Sequence, residues 1–195
     1  MTSVEKVSKW IEIFGEKITA NRDYLNKLDT AIGDGDHGSN LTRGAAAVKE
    51  KAAESDYDNL ADLFKDVGMT MVSKVGGASG PLYGSAFMGM AKKAKESDDF
   101  SELLEAGLEG IQKRGKADIG EKTMIDEWAP VIESVKAGTF NQEIIDDSLE
   151  STREMKATKG RASYLGDRSI GHIDPGAQSS AYLFEALLEA GVIDG

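Results

Sequence analysis

Three aspartates spaced around two glycines carry the strongest chemical signal in this sequence. Carboxylates stand at Asp29, Asp34 and Asp36, with Gly33 and Gly35 between them. Glycine lets the backbone turn tightly, so the carboxylates can converge, and their repulsion is costly unless a cation lies between them. Oxygen ligands favour Mg²⁺ or Ca²⁺ over zinc. Residues 29–36, called the acidic segment below, are therefore predicted to bind a divalent metal.

The charge of the acidic segment predicts an anionic ligand as well. One divalent cation on three carboxylates leaves one negative charge, which repels phosphate, whereas two cations leave one positive charge. Helix N-termini also attract anions. We therefore expect two Mg²⁺ ions that bridge the aspartates and the phosphates of a nucleotide.

Other known loop types fit the acidic segment less well. An EF-hand requires Glu at its last loop position, and counted from Asp34 that position is Ala45. A P-loop matches the spacing from Gly33 to Gly38 and Ser39, but its lysine is missing. A solvated acidic turn that caps a helix remains the alternative without chemistry.

Three further segments are rich in glycine and contain residues that a simple connection does not need: 75–80, 115–120 and 160–176. Ser79 is suited to bonding a phosphate or to capping a helix, and Asp174 is a natural N-cap before Pro175. Arg161 and Arg168 have two interpretations. They either stabilise charge during phosphoryl transfer or form surface ion pairs.

The two histidines, His37 and His172, give little support for nucleophilic catalysis. No Ser-His-Asp grouping follows from their positions. His37 lies beside the acidic segment, where it is either a phosphate contact or proton carrier, or a structural hydrogen-bonding residue.

The segments described above are expected to lie between helices, because almost every apolar pattern in the sequence has helical spacing. Apolar residues recur at i, i+3 and i+4, and no segment shows a sustained period of two. The apolar stripes cover 4–18, 60–71, 100–111, 125–135, 144–155 and 183–190. With an alanine-rich stretch after Gly38 and a small-residue helix after Gly80, they predict an all-α fold of about eight helices.

Length and composition predict one domain and exclude several classes of protein. The 195 residues suit a single domain over 1–195, and the lack of cysteine excludes disulfides, a thiolate nucleophile and Cys-ligated zinc.

A net charge of −11 argues against non-specific binding of nucleic acid. Residues 75–91 carry no charge, but five of these 17 are glycine, which predicts a buried helix and no membrane span. Residues 1–6 lack the apolar run of a secretory signal, which predicts a cytoplasmic protein.

Four ordered blocks of sequence together resemble the nucleotide-binding L subunit of bacterial dihydroxyacetone kinases. The blocks are 28–40, 76–84, 122–126 and 160–176. Two residues depart from the expected pattern, Leu41 in place of Met and Asp167 in place of Glu. The resemblance implies a single-domain antiparallel barrel of eight amphipathic helices, with ADP and two Mg²⁺ bound by the loops at one end.

The resemblance also implies roles for individual residues. Asp29, Asp34 and Asp36 would ligate the metals and, together with Arg161, form the catalytic set. Nucleotide contacts would come from His37, Gly38, Ser39, Asn40, Ala78, Ser79, Gly115, Met124, Arg161, Asp174, Pro175 and Gly176.

The implied activity is a phosphoryl transfer in which ADP serves as a bound cofactor. A phosphohistidine carrier subunit of the phosphotransferase system converts ADP to ATP. The γ-phosphoryl group then passes to dihydroxyacetone on a separate substrate-binding kinase subunit. The lack of a substrate domain in this chain favours the phosphoenolpyruvate-dependent type. The alternatives are an ATP-exchanging or fatty-acid-kinase-like subunit for another acceptor, and a non-catalytic nucleotide-binding regulatory module.

Overall fold

Every element that the computed structural model describes, over residues 3–193, is a helix. The α-helices of this range are α1 Ser3–Ala20, α2 Arg22–Ile32, α3 His37–Ala53, α4 Leu60–Lys74, α5 Ser79–Lys93, α6 Phe100–Gly115, α7 Ile125–Ala137, α8 Gln142–Ser151 and α9 Pro175–Glu189. A 3₁₀ helix, Arg161–Ser169, lies between α8 and α9. The predicted all-α class is confirmed. Met1 and Thr2, which belong to the segment used to predict the lack of a secretory signal, lie outside the described residues.

Eight of the α-helices form a closed ring around the core. In this ring α1 contacts α3, each helix from α3 to α8 contacts the next one, and α9 packs against both α8 and α1. The remaining helix, α2, packs on α3 and α9. The ring therefore has the predicted number of helices and forms the barrel that the resemblance implies.

Two helices and one helix end differ from what apolar spacing predicts. Helix α2 carries no continuous apolar stripe, because its buried face combines Leu25 and Ile32 with Asp29. The 3₁₀ helix buries only one polar side chain, so its sequence has no stripe either. The stripe predicted to reach Met155 is wrong beyond Ser151, where α8 ends and the chain turns.

Glycines allow helix α5 to approach both of its neighbours closely. A Cβ atom on Gly84 would overlap with Val72 of α4, and one on Gly89 would overlap with the Ala106 carbonyl of α6. The prediction of a buried helix built from small residues is thus confirmed. None of the helices in the described range combines the length and the apolar character needed to cross a bilayer.

The four glycine-rich segments lie at one end of the ring. Since short connections reverse the chain, every second connection of an up-and-down ring falls at the same end. The connections into α3, α5, α7 and α9 are the glycine-rich ones, so the N-termini of these four helices meet there. Hydrogen bonds in and next to these segments hold this end together, among them the bond of the His37 ring to Ser179 of α9 at 2.9 Å and that of the Thr158 amide to the Glu121 carbonyl at 3.3 Å.

One carboxyl group is buried in the ring without a partner. Glu127 of α7 is fully buried, and neither of its oxygens has a hydrogen-bond partner among the described residues. Burial raises the pKa of Glu127 to about 9, and the negative charges of Asp146 and Glu185 add to this rise. The side chain is therefore protonated at neutral pH in the folded protein.

Glu127 makes the stability of the fold depend on pH. Between the ordinary pKa of 4.5 and the folded-state pKa of about 9, the folded protein holds a proton that the unfolded chain releases. Stability therefore falls as pH rises through this window, by at most about 1.4 kcal/mol per pH unit. The Glu127→Gln variant, which mimics the neutral acid, should gain stability over the wild type progressively from pH 5 to pH 8 in urea unfolding.

The matched control is Glu133→Gln, which removes an exposed carboxylate from the same helix. Its unfolding free energy should stay parallel to that of the wild type over the same pH range. A Glu127→Gln curve that also runs parallel to the wild type would show that Glu127 does not hold the proton.

Candidate metal and nucleotide site

The structure brings the three predicted metal ligands together. One oxygen from each of Asp29, Asp34 and Asp36 can be chosen so that all three lie within 4.8 Å of one another. Asp29 is buried in the last turn of α2, whereas the other two are exposed in the connection to α3. The donors are all carboxylate oxygens, which is the set that Mg²⁺ prefers. The cluster therefore fits a divalent cation.

Asp29 is held in place by the start of α3. Its Oδ2 atom accepts hydrogen bonds from the backbone amides of Asp36 and His37, at 2.9 and 3.0 Å. Burial raises the pKa of Asp29, the two amide bonds lower it, and the charges of Asp34 and Asp36 raise it again. The backbone thus orients the Asp29 carboxylate, but the negative charges of Asp34 and Asp36 repel it. A cation between the three carboxylates would offset this repulsion.

Two glycines shape the acidic segment. A Cβ atom on Gly33 would overlap with Oδ1 of Asp29, the oxygen that makes no bond to the α3 amides. Gly35 has a φ of +81°, in the left-handed region that favours glycine. The glycines noted in the sequence therefore serve two purposes, space for one carboxylate and a turn between the other two.

The predicted nucleotide residues lie mostly at helix N-termini. His37, Gly38, Ser39 and Asn40 form the first turn of α3, Ala78 and Ser79 begin α5, Met124 precedes α7, and Asp174, Pro175 and Gly176 begin α9. Free amide groups and the helix dipole give such termini a positive potential that favours phosphate. Four such termini at one end are an arrangement suited to an anionic ligand.

Two of these termini are directly adjacent. A Cβ atom on Gly176 would lie 3.5 Å from the Cβ of Met124, so the starts of α7 and α9 touch. Asp174 caps α9 as predicted, since its carboxylate accepts the amide of Ala177 at 2.9 Å. Gly115 is the last residue of α6 and faces Leu82 in the first turns of α5.

The two arginines with open interpretations differ in their surroundings. Arg161 opens the 3₁₀ helix, and its Nε lies 3.4 Å from Oδ2 of Asp34. A small cleft beside it is lined by residues 30–33 together with Tyr164 and Leu165. Arg168 is exposed and has no ion pair within the described range. Arg161 therefore lies at the acidic cluster and Arg168 does not contact it.

The His37 side chain points into the protein. Its Nε2 atom lies 2.9 Å from the Ser179 hydroxyl, and burial lowers the pKa of His37 to about 4, although a backbone bond to Pro175 opposes the shift. The imidazole is therefore neutral at physiological pH. This geometry favours the structural interpretation of His37, and it leaves the His37 backbone at the acidic cluster.

Sequence reasoning missed the role of Lys122. Its ammonium group is buried and lies within hydrogen-bonding distance of four backbone carbonyls, which share its three N–H donors: those of Thr152, Arg153, Met155 and His172. It thereby ties the segment after α8, and the chain just before α9, to the connection that leads into α7. The sequence does not reveal its left-handed φ of 60°. Because lysine is normally a surface residue, its type gave no indication of a buried role either.

Comparison with known proteins agrees with this geometry. The DAK2 domain profile matches residues 31–189. The chain belongs to the DAK2 domain family. It is 52% identical to the PTS-dependent dihydroxyacetone kinase, ADP-binding subunit DhaL, of Lactococcus lactis, over 97% of this chain and 98% of the relative. It is 39% identical to the PEP-dependent dihydroxyacetone kinase, ADP-binding subunit DhaL, of Escherichia coli, over 93% and 94%.

A solved structure shows the same fold in a larger protein. The DAK2 chain superposes on the dihydroxyacetone kinase of C. freundii in complex with AMP-PNP and Mg²⁺, with a TM-score of 0.76 and 30% sequence identity. The match covers 92% of this chain and 33% of the kinase, so the present chain spans about a third of that protein.

Gly33 offers a test of the metal site that leaves all three carboxylates in place. Gly33→Ala should push the Asp29 carboxylate away and weaken binding of Mg²⁺ by at least about tenfold in calorimetric titration, as changes around metal ligands commonly do. Gly15→Ala is the control, because its Cβ would make an ordinary contact of 3.5 Å with Ala45. Equal Mg²⁺ affinity in the two variants would argue against Asp29 as a ligand.

Proposed function

We propose that this chain is the ADP-binding subunit of a phosphoenolpyruvate-dependent dihydroxyacetone kinase. The observation that carries the proposal is the cluster of Asp29, Asp34 and Asp36 where four helix N-termini meet. The near full-length identity of 52% to a DhaL subunit supports it. We further propose a single domain over residues 1–195, consistent with the one apolar core of the described range.

The aspartates would hold two Mg²⁺ ions, which supply positive charge that neutralises phosphate oxygens. Asp29 would keep its orientation through the α3 amides, and Asp34 and Asp36 would approach from the exposed side. The amides at the starts of α3, α5 and α9 that do not bond Asp29, Asn26 or Asp174 would bind the phosphates, and Ser79 would add its hydroxyl. Arg161, beside Asp34, would stabilise charge on the transferred group. Catalysis in this arrangement is positioning and electrostatic stabilisation.

Neither histidine ring is bonded to the acidic segment within residues 3–193. The His37 ring bonds inward to Ser179, whereas His172 is exposed and no hydrogen bond or ion pair of its ring joins it to that segment. We therefore infer that the group travels through this subunit on the nucleotide. A phosphohistidine carrier subunit of the phosphotransferase system would convert ADP to ATP in the cytoplasm. ATP would then phosphorylate dihydroxyacetone held by a substrate-binding kinase subunit.

A second candidate is a nucleotide-exchanging kinase that uses free ATP. It is favoured by the 36% identity to the human triokinase/FMN cyclase, which covers 86% of this chain and 32% of that protein. The two candidates differ in how they treat ADP. The proposed subunit should keep ADP through gel filtration, as detected by mass spectrometry, and turn over with phosphoenolpyruvate and the carrier proteins. Turnover with free ATP alone would support the second candidate.

Removing either exposed aspartate should abolish the function. We expect Asp34→Ala and Asp36→Ala each to eliminate detectable binding of Mg²⁺ and ADP in calorimetry and phosphoryl transfer to dihydroxyacetone, because the remaining carboxylates cannot balance the cations. Asp147→Ala, which removes an exposed carboxylate from α8, should behave like the wild type. Wild-type phosphoryl transfer by either site variant would refute the assignment of the metal site.

A further inference from the structure

A chain of hydrogen bonds crosses the interior of the ring just below the nucleotide site. The Trp128 Nε1 lies 3.0 Å from the Ser180 hydroxyl, which lies 3.0 Å from the Tyr83 hydroxyl. Tyr83 in turn lies 2.6 Å from the Ser179 hydroxyl, and Ser179 lies 2.9 Å from the His37 ring. Trp128, Tyr83 and both serines are fully buried. These five residues are called the hydroxyl chain below.

The direction of the hydroxyl chain follows from the chemistry of its members. Trp128 can only donate, so the Ser180 oxygen accepts from it. The Ser180 proton then has one neighbour in the chain to which it can be given, the Tyr83 oxygen. Every hydroxyl proton of the chain has an acceptor when Tyr83 donates to Ser179, which leaves the Ser179 proton for the His37 ring or for the Gly176 carbonyl at 3.1 Å. The Tyr83 hydroxyl is the central link, since it both accepts and donates.

The hydroxyl chain joins the four helices that form the site. His37 belongs to α3, Tyr83 to α5, Trp128 to α7, and Ser179 and Ser180 to α9, each within the first five residues of its helix or one residue beyond. These helices alternate around most of the ring with α4, α6 and α8. Apart from the direct packing of α7 on α9 and a smaller contact of α3 with α5, the packing of successive helices therefore fixes their relative height only indirectly. Hydrogen bonds through the interior fix the relative height of the four helices directly, because hydrogen bonds tolerate little change in length.

We propose that the hydroxyl chain is a positioning device for the nucleotide site, in which Tyr83 is the positioning residue that holds the N-termini of α3, α5, α7 and α9 in register. The proposed nucleotide contacts lie at the starts of four separate helices, and a shift of one terminus would misplace its contacts. The proposal depends on the proposed function only for the identity of the ligand.

The test removes one oxygen atom from the centre of the chain. Tyr83→Phe keeps the buried ring and should weaken ADP binding in the presence of Mg²⁺ by about five- to twentyfold, the range expected for a lost buried hydrogen bond and a shifted site. Ser179→Ala should have a similar effect, and the double variant should be no worse than the stronger single one, because both break the same chain. Tyr182→Phe is the control, since it removes a hydroxyl from α9 outside the chain.

A second readout separates positioning from general stability. In a His172→Gln background His37 is the only histidine, so its ring nitrogen resonances are assigned without ambiguity. Tyr83→Phe should shift the His37 resonances, whereas Tyr182→Phe should not. A mere loss of stability would lower the melting temperature and leave both the resonances and the ADP affinity unchanged.

Two failures can be told apart. Unchanged ADP affinity and unchanged His37 resonances in Tyr83→Phe would overturn the positioning role while the proposed function stands. If the wild type bound no ADP, the proposed function would fail, and the His37 resonances alone would decide whether Tyr83 controls the start of α3.

Discussion

The rest of the structure depends on one electrostatic constraint: three carboxylates converge on a single point. Ionised carboxylates at this separation repel one another, and Asp29 is also buried, so positive charge nearby stabilises the arrangement. The α3 amides provide part of this compensation through Asp29, and a bound divalent cation would provide the rest. The same constraint explains why Gly33 must lack a side chain, since any larger residue would displace Asp29.

The ring also brings several helix N-termini together at one end. In a ring whose helices alternate in direction, every second helix begins at the same end, and the chain needs no long connection to achieve this. In such a ring the helices of the site are separated by other helices along the chain, although α7 with α9 and α3 with α5 also pack on each other directly. Interior contacts compensate for this separation, through the hydroxyl chain across the ring and through Lys122, whose ammonium group binds carbonyls on both sides of the 3₁₀ helix.

Much of the fold could be predicted from the sequence because helical periodicity reports which face of a helix is buried. The eight ring helices each bury apolar residues at regular spacing, or small residues where helices approach closely, as at Gly84 and Gly89. Helix α2 was not predicted because its buried face includes the polar Asp29, which interrupts the apolar spacing. The predicted end of α8 was too late because the apolar Met155 fits the spacing but lies after the turn at 152–154.

The sequence by itself determined the helical class and the convergence of Asp29, Asp34 and Asp36, because both depend on local spacing and on glycines next to the functional groups. Only the tertiary structure decided which residues support the site from a distance. The bonds of Tyr83 to Ser179 and Ser180 join positions about a hundred residues apart in the chain, and those of Lys122 reach carbonyls, which every residue type carries. Such contacts leave no pattern in a sequence, since they depend on how helices are placed in three dimensions and not on the order of residues within one helix.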